Sequence, residues 1–270
     1  MGQEIRVVSA DVHITRWGFS GPRVVLVHGG AKGASAGGDA HFSAQAVLAD
    51  QGWQLVLPDR PGHGRSADAG RPDDFEIDGE WVADLLEDGA HLIGHSYGGL
   101  VALAAASKRP SAVLSLTLIE AAMQALTMDD PRTQKFMGEM GEAMSKATSM
   151  ADLADRFSKA AGIPEEIRAE RKDGEMEKVG QGLASIKLPE TERVRAMVDA
   201  VAANAIPLLT VTGGWNPGID ASSEAASARA DGRHVVVRSP HHFPQTFDAP
   251  AFNGLLVEFM TAAEHARIDR

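Results

Sequence analysis

Apolar positions fall along this chain in two rhythms. Short β-branched or leucine-rich runs recur at 23–27 (RVVLV), 54–57 (QLVL), 91–93 (HLI), 113–119 (VLSLTLI), 206–212 (IPLLTVT) and 234–238 (HVVVR). Runs of this length predict buried parallel strands. Helical stretches are expected between them, at about 41–51, 73–87, through the alanine-rich segment after Gly99, and at 221–230 and 251–267. Residues 4–17 alternate imperfectly and predict one or two antiparallel strands, closed by the turn from Gly18 to Pro22. Strands alternating with helices imply an α/β fold, a mostly parallel, doubly wound sheet covered on both faces. The rhythm breaks between 122 and 204, where the sequence is helical, strongly charged and holds eight of the ten methionines. An inserted helical unit at 122–204 between core segments 1–121 and 205–270 follows.

Composition narrows the function classes. The hydrophobic share of 44% and charged share of 23% suit an ordinary globular chain of 270 residues. A net charge of −11 argues against nucleic acid and anionic membrane as partners. With no cysteine, thiolate metal sites and a cysteine nucleophile are excluded. The N-terminus carries no basic segment followed by an apolar core, and no run reaches membrane-span length, so a cytoplasmic location is expected.

The chemistry gathers at 89–109, GAHLIGHSYGGLVALAAASKR. Strand formers, then glycines, then helix formers read as strand, sharp turn, helix. Within the turn Gly94 and Gly98 flank Ser96 as Gly-x-Ser-x-Gly, the pattern that presents a serine hydroxyl on a strained bend. The helix N-terminus and the amide of Tyr97 would face developing negative charge. Ligands of such sheets bind beyond the carboxyl ends of the strands. His28, Asp59, Ser96, Glu120, Asn216 and His242 all fall at or just after such ends, so one cleft is expected to collect them.

These residues resemble the α/β-hydrolase fold family over nearly the whole chain apart from 122–204. His28-Gly29-Gly30 is similar to the family's oxyanion loop, DRPGHGRS at 59–66 to its second-strand turn, and GHSYGG at 94–99 to its nucleophile elbow. SPHHFP at 239–244 is similar to the family's Gly-His-Phe-Pro, with His241 where glycine is usual. The resemblance implies Ser96 as nucleophile, His242 as base, an oxyanion hole from the amides of Gly30 and Tyr97, and a helical cap at 122–204. Counting to the family's usual acid position lands on Asn216, which is no carboxylate. Glu120 is then the expected acid, with Asp220 as the alternative. Glu120 closes an apolar strand, where a buried charge needs a partner. Asp220 precedes an alanine-rich helix and reads equally as its N-cap.

The expected activity is cofactor-independent hydrolysis of an ester or lactone. Carbon–carbon bond hydrolysis, acyl transfer, cyanohydrin cleavage and perhydrolysis remain open on the same triad, as does a ligand-binding receptor that resembles these hydrolases. His28 and His63 read as structural, His95 and His241 as lining or bracing the pocket, and no metal-ligand spacing is present. Met137, Met140 and Met144 share one helical face and either pack on the core or roof the site. Trp215 is expected as a flat wall opposite. The substrate is then a small hydrophobic ester or lactone; a homodimer is compatible with the chain.

Overall fold

In a computed structural model, residues 3–7, 10–170 and 174–268 are described. Residues 8 and 9 of the expected N-terminal strand region and 171–173 of the expected insertion lie outside them. The elements run β1 (Gln3–Val7), β2 (Ala10–Trp17), β3 (Arg23–Val27), α1 (Gly38–His41), α2 (Val47–Asp50), β4 (Gln54–Pro58), α3 (Phe75–Leu85), β5 (Ala90–His95), α4 (Tyr97–Lys108) and β6 (Val113–Ile119). Then follow α5 (Pro131–Ser145), α6 (Met150–Ala160), α7 (Glu165–Ala169), α8 (Glu175–Ser185), α9 (Thr191–Ala203), β7 (Leu208–Thr212), α10 (Pro217–Arg229), β8 (Arg233–Val236), α11 (Pro244–Phe247) and α12 (Ala249–Ile268).

The strands form one sheet in the order β1-β2-β4-β3-β5-β6-β7-β8. β1 and β2 join antiparallel, and every pairing from β4 to β8 is parallel. β5, the strand leading to Ser96, is buried along its whole length, as a central strand covered on both faces must be. One face carries a core built with α3, α4 and α9, including Trp81, Leu100, Leu103, Val194 and Val198. The other carries Phe42, Leu48, Phe252, Leu256 and Met260.

Small residues in α4 let its neighbours approach closely. A Cβ on Gly79 of α3 would lie 2.7 Å from that of Ala104. Helix α9 buries Val194, Met197, Val198 and Val201 in the same core as α4, so the end of the 122–204 segment is fixed to the sheet layer.

The helix expected at 41–51 is instead two single turns, α1 and α2, joined by a 3-10 turn. Tertiary demands override local propensity there: Phe42 and Leu48 are both fully buried. Between them, Gln45 Nε2 donates to the Gln245 carbonyl at 2.7 Å and to Asn253 Oδ1 at 3.0 Å.

Candidate active site

Ser96 sits between β5 and α4 with φ 55° and ψ −123°, a left-handed conformation that side chains disfavour. The surrounding chain holds it there. Its N–H donates to the Ile119 carbonyl at 2.9 Å, and its own carbonyl accepts from the amides of Gly99 and Ala122 at 2.9 and 3.1 Å. The glycines make the bend possible. A side chain on Gly98 would run into the carbonyls of Val27 and His28, and one on Gly99 would press on Ala121. A Cβ at Gly29 would stand 2.7 Å from that of Ser96, so the loop after β3 passes directly over the serine.

That loop carries Gly30, the residue expected as the second oxyanion donor. Gly30 has φ 90° and faces open space. Among the described residues its N–H has no protein acceptor. Its carbonyl accepts from Arg60 Nη1 at 3.3 Å, which turns the peptide. Tyr97, first residue of α4, has no carbonyl one helical turn back for its N–H, so that amide points out of the helix start. The Tyr97 ring is buried, its hydroxyl donates to the Lys187 carbonyl at 2.9 Å, and the Arg60 guanidinium lies 4.8 Å from the ring centre.

Arg60 is a buried cation that sequence reading passed over. It bonds Asp73 at 2.5 Å and Asp78 at 3.2 Å. Burial alone would weaken its proton affinity, but the two carboxylates hold it above the ordinary arginine range. A fully buried arginine requires such partners. The signal was available as an arginine two residues after an apolar strand, followed by aspartates.

His242 lies in the turn after β8, 7% exposed. Its Nδ1–H donates to Glu120 Oε2 at 2.9 Å. Glu120, 1% exposed, follows β6 with φ 46°. Oε1 accepts from the Gly213 amide at 2.6 Å, and Oε2 also accepts from the Trp215 indole N–H at 2.8 Å. Three N–H donors therefore compensate the buried carboxylate, as its position requires.

Asp220 is placed differently. It lies in the first turn of α10, half-buried, with Oδ1 lacking a hydrogen-bond partner among the described residues. Burial chiefly, with the charge of Glu120 adding to it, pushes its pKa up despite a hydrogen bond from Thr212. It is not the N-cap: Asn216 caps α10, accepting from the Gly218 amide at 2.9 Å, with Pro217 in the first turn.

Trp215, expected as a wall of the pocket, turns its indole N–H to Glu120 and sets its ring edge-on to His242 at 6.3 Å and to Phe136 at 6.5 Å. His95, expected to line or brace the pocket, is 1% exposed and braces the turn that carries His242. Its Nε2–H donates to the His242 carbonyl at 2.8 Å, and its Nδ1 meets His41 Nε2 at 2.8 Å. A carbonyl only accepts, so His95 must carry its proton on Nε2 and accept on Nδ1. Burial drives His95 well below the ordinary histidine range and takes His41 to about 3, so both rings are neutral.

His28 accepts from the Arg60 amide at 2.9 Å and contacts the Gly29 carbonyl at 2.8 Å, a structural role, and His63 likewise contacts the Pro61 carbonyl at 3.2 Å. His241 accepts the Phe243 amide on Nδ1 at 3.1 Å, shaping its turn. Asp59 is drawn into the loop, binding the amides of Gly38 and Arg65 at 2.8 and 3.0 Å. Of the six strand-end residues, Glu120 and His242 are thus joined directly, whereas Asp59 and Asn216 serve local backbone. Met140 is half-buried on α5, whose Phe136 packs on Gly218 of α10. Among the described residues no group of three or more histidine and acidic side chains could hold a metal ion, and no helix is long and apolar enough to cross a membrane.

Comparison with known proteins speaks to the fold. A family model described as the alpha/beta hydrolase fold matches residues 22–205. A dihydrolipoyllysine-residue acetyltransferase component of an acetoin-cleaving system from Pseudomonas putida is 29% identical over 259 residues, which are 92% of this chain and 66% of that protein. A lipase of Mycobacterium tuberculosis is 31% identical over 174 residues, 62% of this chain and 61% of the lipase. The chain thus spans under two thirds of the length of both relatives. In fold it is similar to a meta-cleavage product hydrolase from Pseudomonas fluorescens, with TM-score 0.71, 18% identity and coverage of 97% and 98% of the two chains.

Proposed function

The chain belongs to the α/β-hydrolase fold family, and we propose that it is a serine hydrolase cleaving a carboxylic ester or lactone of a hydrophobic small molecule. Two observations carry this reading: the Glu120–His242 hydrogen bond of 2.9 Å, and a serine held in a strained strand-to-helix elbow. In the first half-reaction His242 Nε2 takes the Ser96 proton as Oγ attacks the carbonyl carbon. The imidazolium is stabilised by Glu120 through Nδ1–H. The carbonyl oxygen, now an oxyanion, is met by the amides of Gly30 and Tyr97, each worth about 2.7–4 kcal/mol in related chemistry. His242 returns its proton to the departing alkoxide, leaving an acyl-Ser96 ester. It next takes a proton from water as the hydroxide attacks, and Ser96 recovers its proton when the acid leaves.

Residues 122–204 serve as the cap, anchored through α9, with the methionine face of α5 turned to the substrate's apolar part. The relatives that are lipases and hydrolases are consistent with this chemistry. A fluorophosphonate probe tests it. Wild type is expected to be labelled on Ser96, and Ser96→Ala to lose both the label and several orders of magnitude of ester hydrolysis while keeping its fold. Folded wild-type protein that takes no label would overturn the reading.

A further inference from the structure

His242 is held at more places than its imidazole. Its carbonyl accepts from His95 Nε2 at 2.8 Å, and its own N–H donates to the carbonyl of Gly162 at 3.0 Å. Gly162 is not part of the sheet layer; it belongs to the turn between α6 and α7, inside the helical insertion.

The local structure of that turn explains why this carbonyl is available. Helix α6 ends with three backbone bonds: the Ala161 amide to the Phe157 carbonyl at 2.8 Å, Gly162 to Lys159 at 3.1 Å, and Ile163 to Ser158 at 2.9 Å. With Gly162 at φ 68°, these make a Schellman termination, in which the glycine adopts the left-handed conformation and the helix's last carbonyls are satisfied internally. The glycine's own carbonyl is left pointing away from the helix, where it meets His242.

The same glycine touches the acid's support. A Cβ at Gly162 would stand 2.5 Å from Cη2 and 2.8 Å from Cζ2 and Cζ3 of Trp215. The Trp215 indole N–H is one of the donors to Glu120 Oε2, the oxygen that also receives His242. One residue of the insertion therefore reaches the base through its backbone and the acid through a ring packed on its Cα.

We propose that Gly162 is a positioning residue of the catalytic pair, so that the seating of the insertion sets the geometry of His242 and Glu120 as well as enclosing the substrate. This rests on the serine-hydrolase reading. Insertion and triad then act as one unit: displacing the α6–α7 turn moves the His242 backbone and tilts Trp215 away from Glu120. A shift of about 1 Å in such a constellation costs on the order of a hundredfold in rate.

The test compares Gly162→Ala with wild type, with Gly52→Ala, and with Gly162→Ala in a Trp215→Phe background. Gly52 has φ 88° and open space around it, so its alanine variant carries the same kind of backbone strain far from the site. Gly162→Ala is expected to lower kcat by about 10- to 100-fold, with KM within about twofold of wild type. Gly52→Ala should lose thermal stability and keep kcat. In the Trp215→Phe background, where the smaller ring makes room, adding Gly162→Ala should cost under about threefold. Gly162→Asn, which tolerates the left-handed conformation better but still meets the ring, should repeat the kcat loss if the alanine variant folds poorly. Unchanged kcat, a rise in KM alone, or equal cost in both backgrounds overturns the proposal. Fluorophosphonate labelling of wild-type Ser96 separates the two failures. Labelling at the wild-type rate in Gly162→Ala defeats this inference alone, whereas no labelling of wild type defeats the hydrolase reading beneath it.

Discussion

Glu120 Oε2 and His242 Nδ1 stand 2.9 Å apart although they lie 122 positions apart in the chain. Both follow carboxyl ends of strands, β6 and β8, which flank β7 in the sheet. Glu120 therefore reaches His242 past the end of β7, where Gly213 supplies an amide to its other oxygen.

Replacing Glu120 by glutamine keeps the shape but removes the charge that supports the imidazolium. Ester hydrolysis should fall by about 10³–10⁴-fold. Asp220→Asn should change kcat by less than about threefold, because His242 already has its carboxylate. Steady-state kinetics on both variants decide it, and the reverse ranking moves the acid to Asp220.

His242→Ala should be about as damaging as loss of Ser96, since members of a triad act together. His241→Ala removes an acceptor for the Phe243 amide and ring contacts within its turn, and should keep most activity. The same kinetic assay distinguishes them; equal losses would place the base in doubt.

Stability should fall on acidification below neutral pH. Burial lowers the pKa of His41 to about 3 and of His63 and His91 to about 4, and takes His28 and His95 well below the ordinary value of 6.5. Unfolded, each would bind a proton below about pH 6.5, so the unfolded state binds more protons from there down to the folded pKa values. Stability is full above pH 6.5 and is lost as pH drops toward 4. Each group contributes a slope of up to about 1.4 kcal/mol per pH unit. Thermal or urea melts between pH 7 and 4 should show this decline, and His63→Gln should flatten it by about one proton.

Hydrophobic esters should be preferred. Met137, Met140 and Met144 are half-buried along α5, a deformable apolar surface. Medium-chain or aromatic esters should exceed acetates in kcat/KM by about tenfold or more, at roughly 0.8 kcal/mol per buried methylene. A preference for acetate or for anionic substrates contradicts it.

Much of this site was legible in the residues because its demands are local. Ser96 needs a strand, glycines and a helix in immediate succession, and all three are contiguous in the chain. Glu120 stood out because a carboxylate ending an apolar strand must have a partner. Orientation was not legible. Nothing in the sequence tells that His95 turns to His41 and the His242 carbonyl, or that the Trp215 N–H turns to Glu120, since both depend on residues far along the chain. The N-cap reading of Asp220, one of its two open readings, fails because Asn216-Pro217 carries the signal of a capping residue before a first-turn proline. The broken helix at 41–51 shows the converse, with a helical pattern overruled by three buried contacts, Phe42, Gln45 and Leu48.

The backbone of Ser96 has a consequence for anyone selecting variants. Its φ of 55° and ψ of −123° cost an alanine or serine on the order of 1–3 kcal/mol, and glycine almost nothing. Ser96→Gly should therefore melt above wild type while hydrolysing nothing. A search guided by melting temperature alone would climb toward a dead protein, and the most heat-resistant clone in such a library would be the one to distrust first.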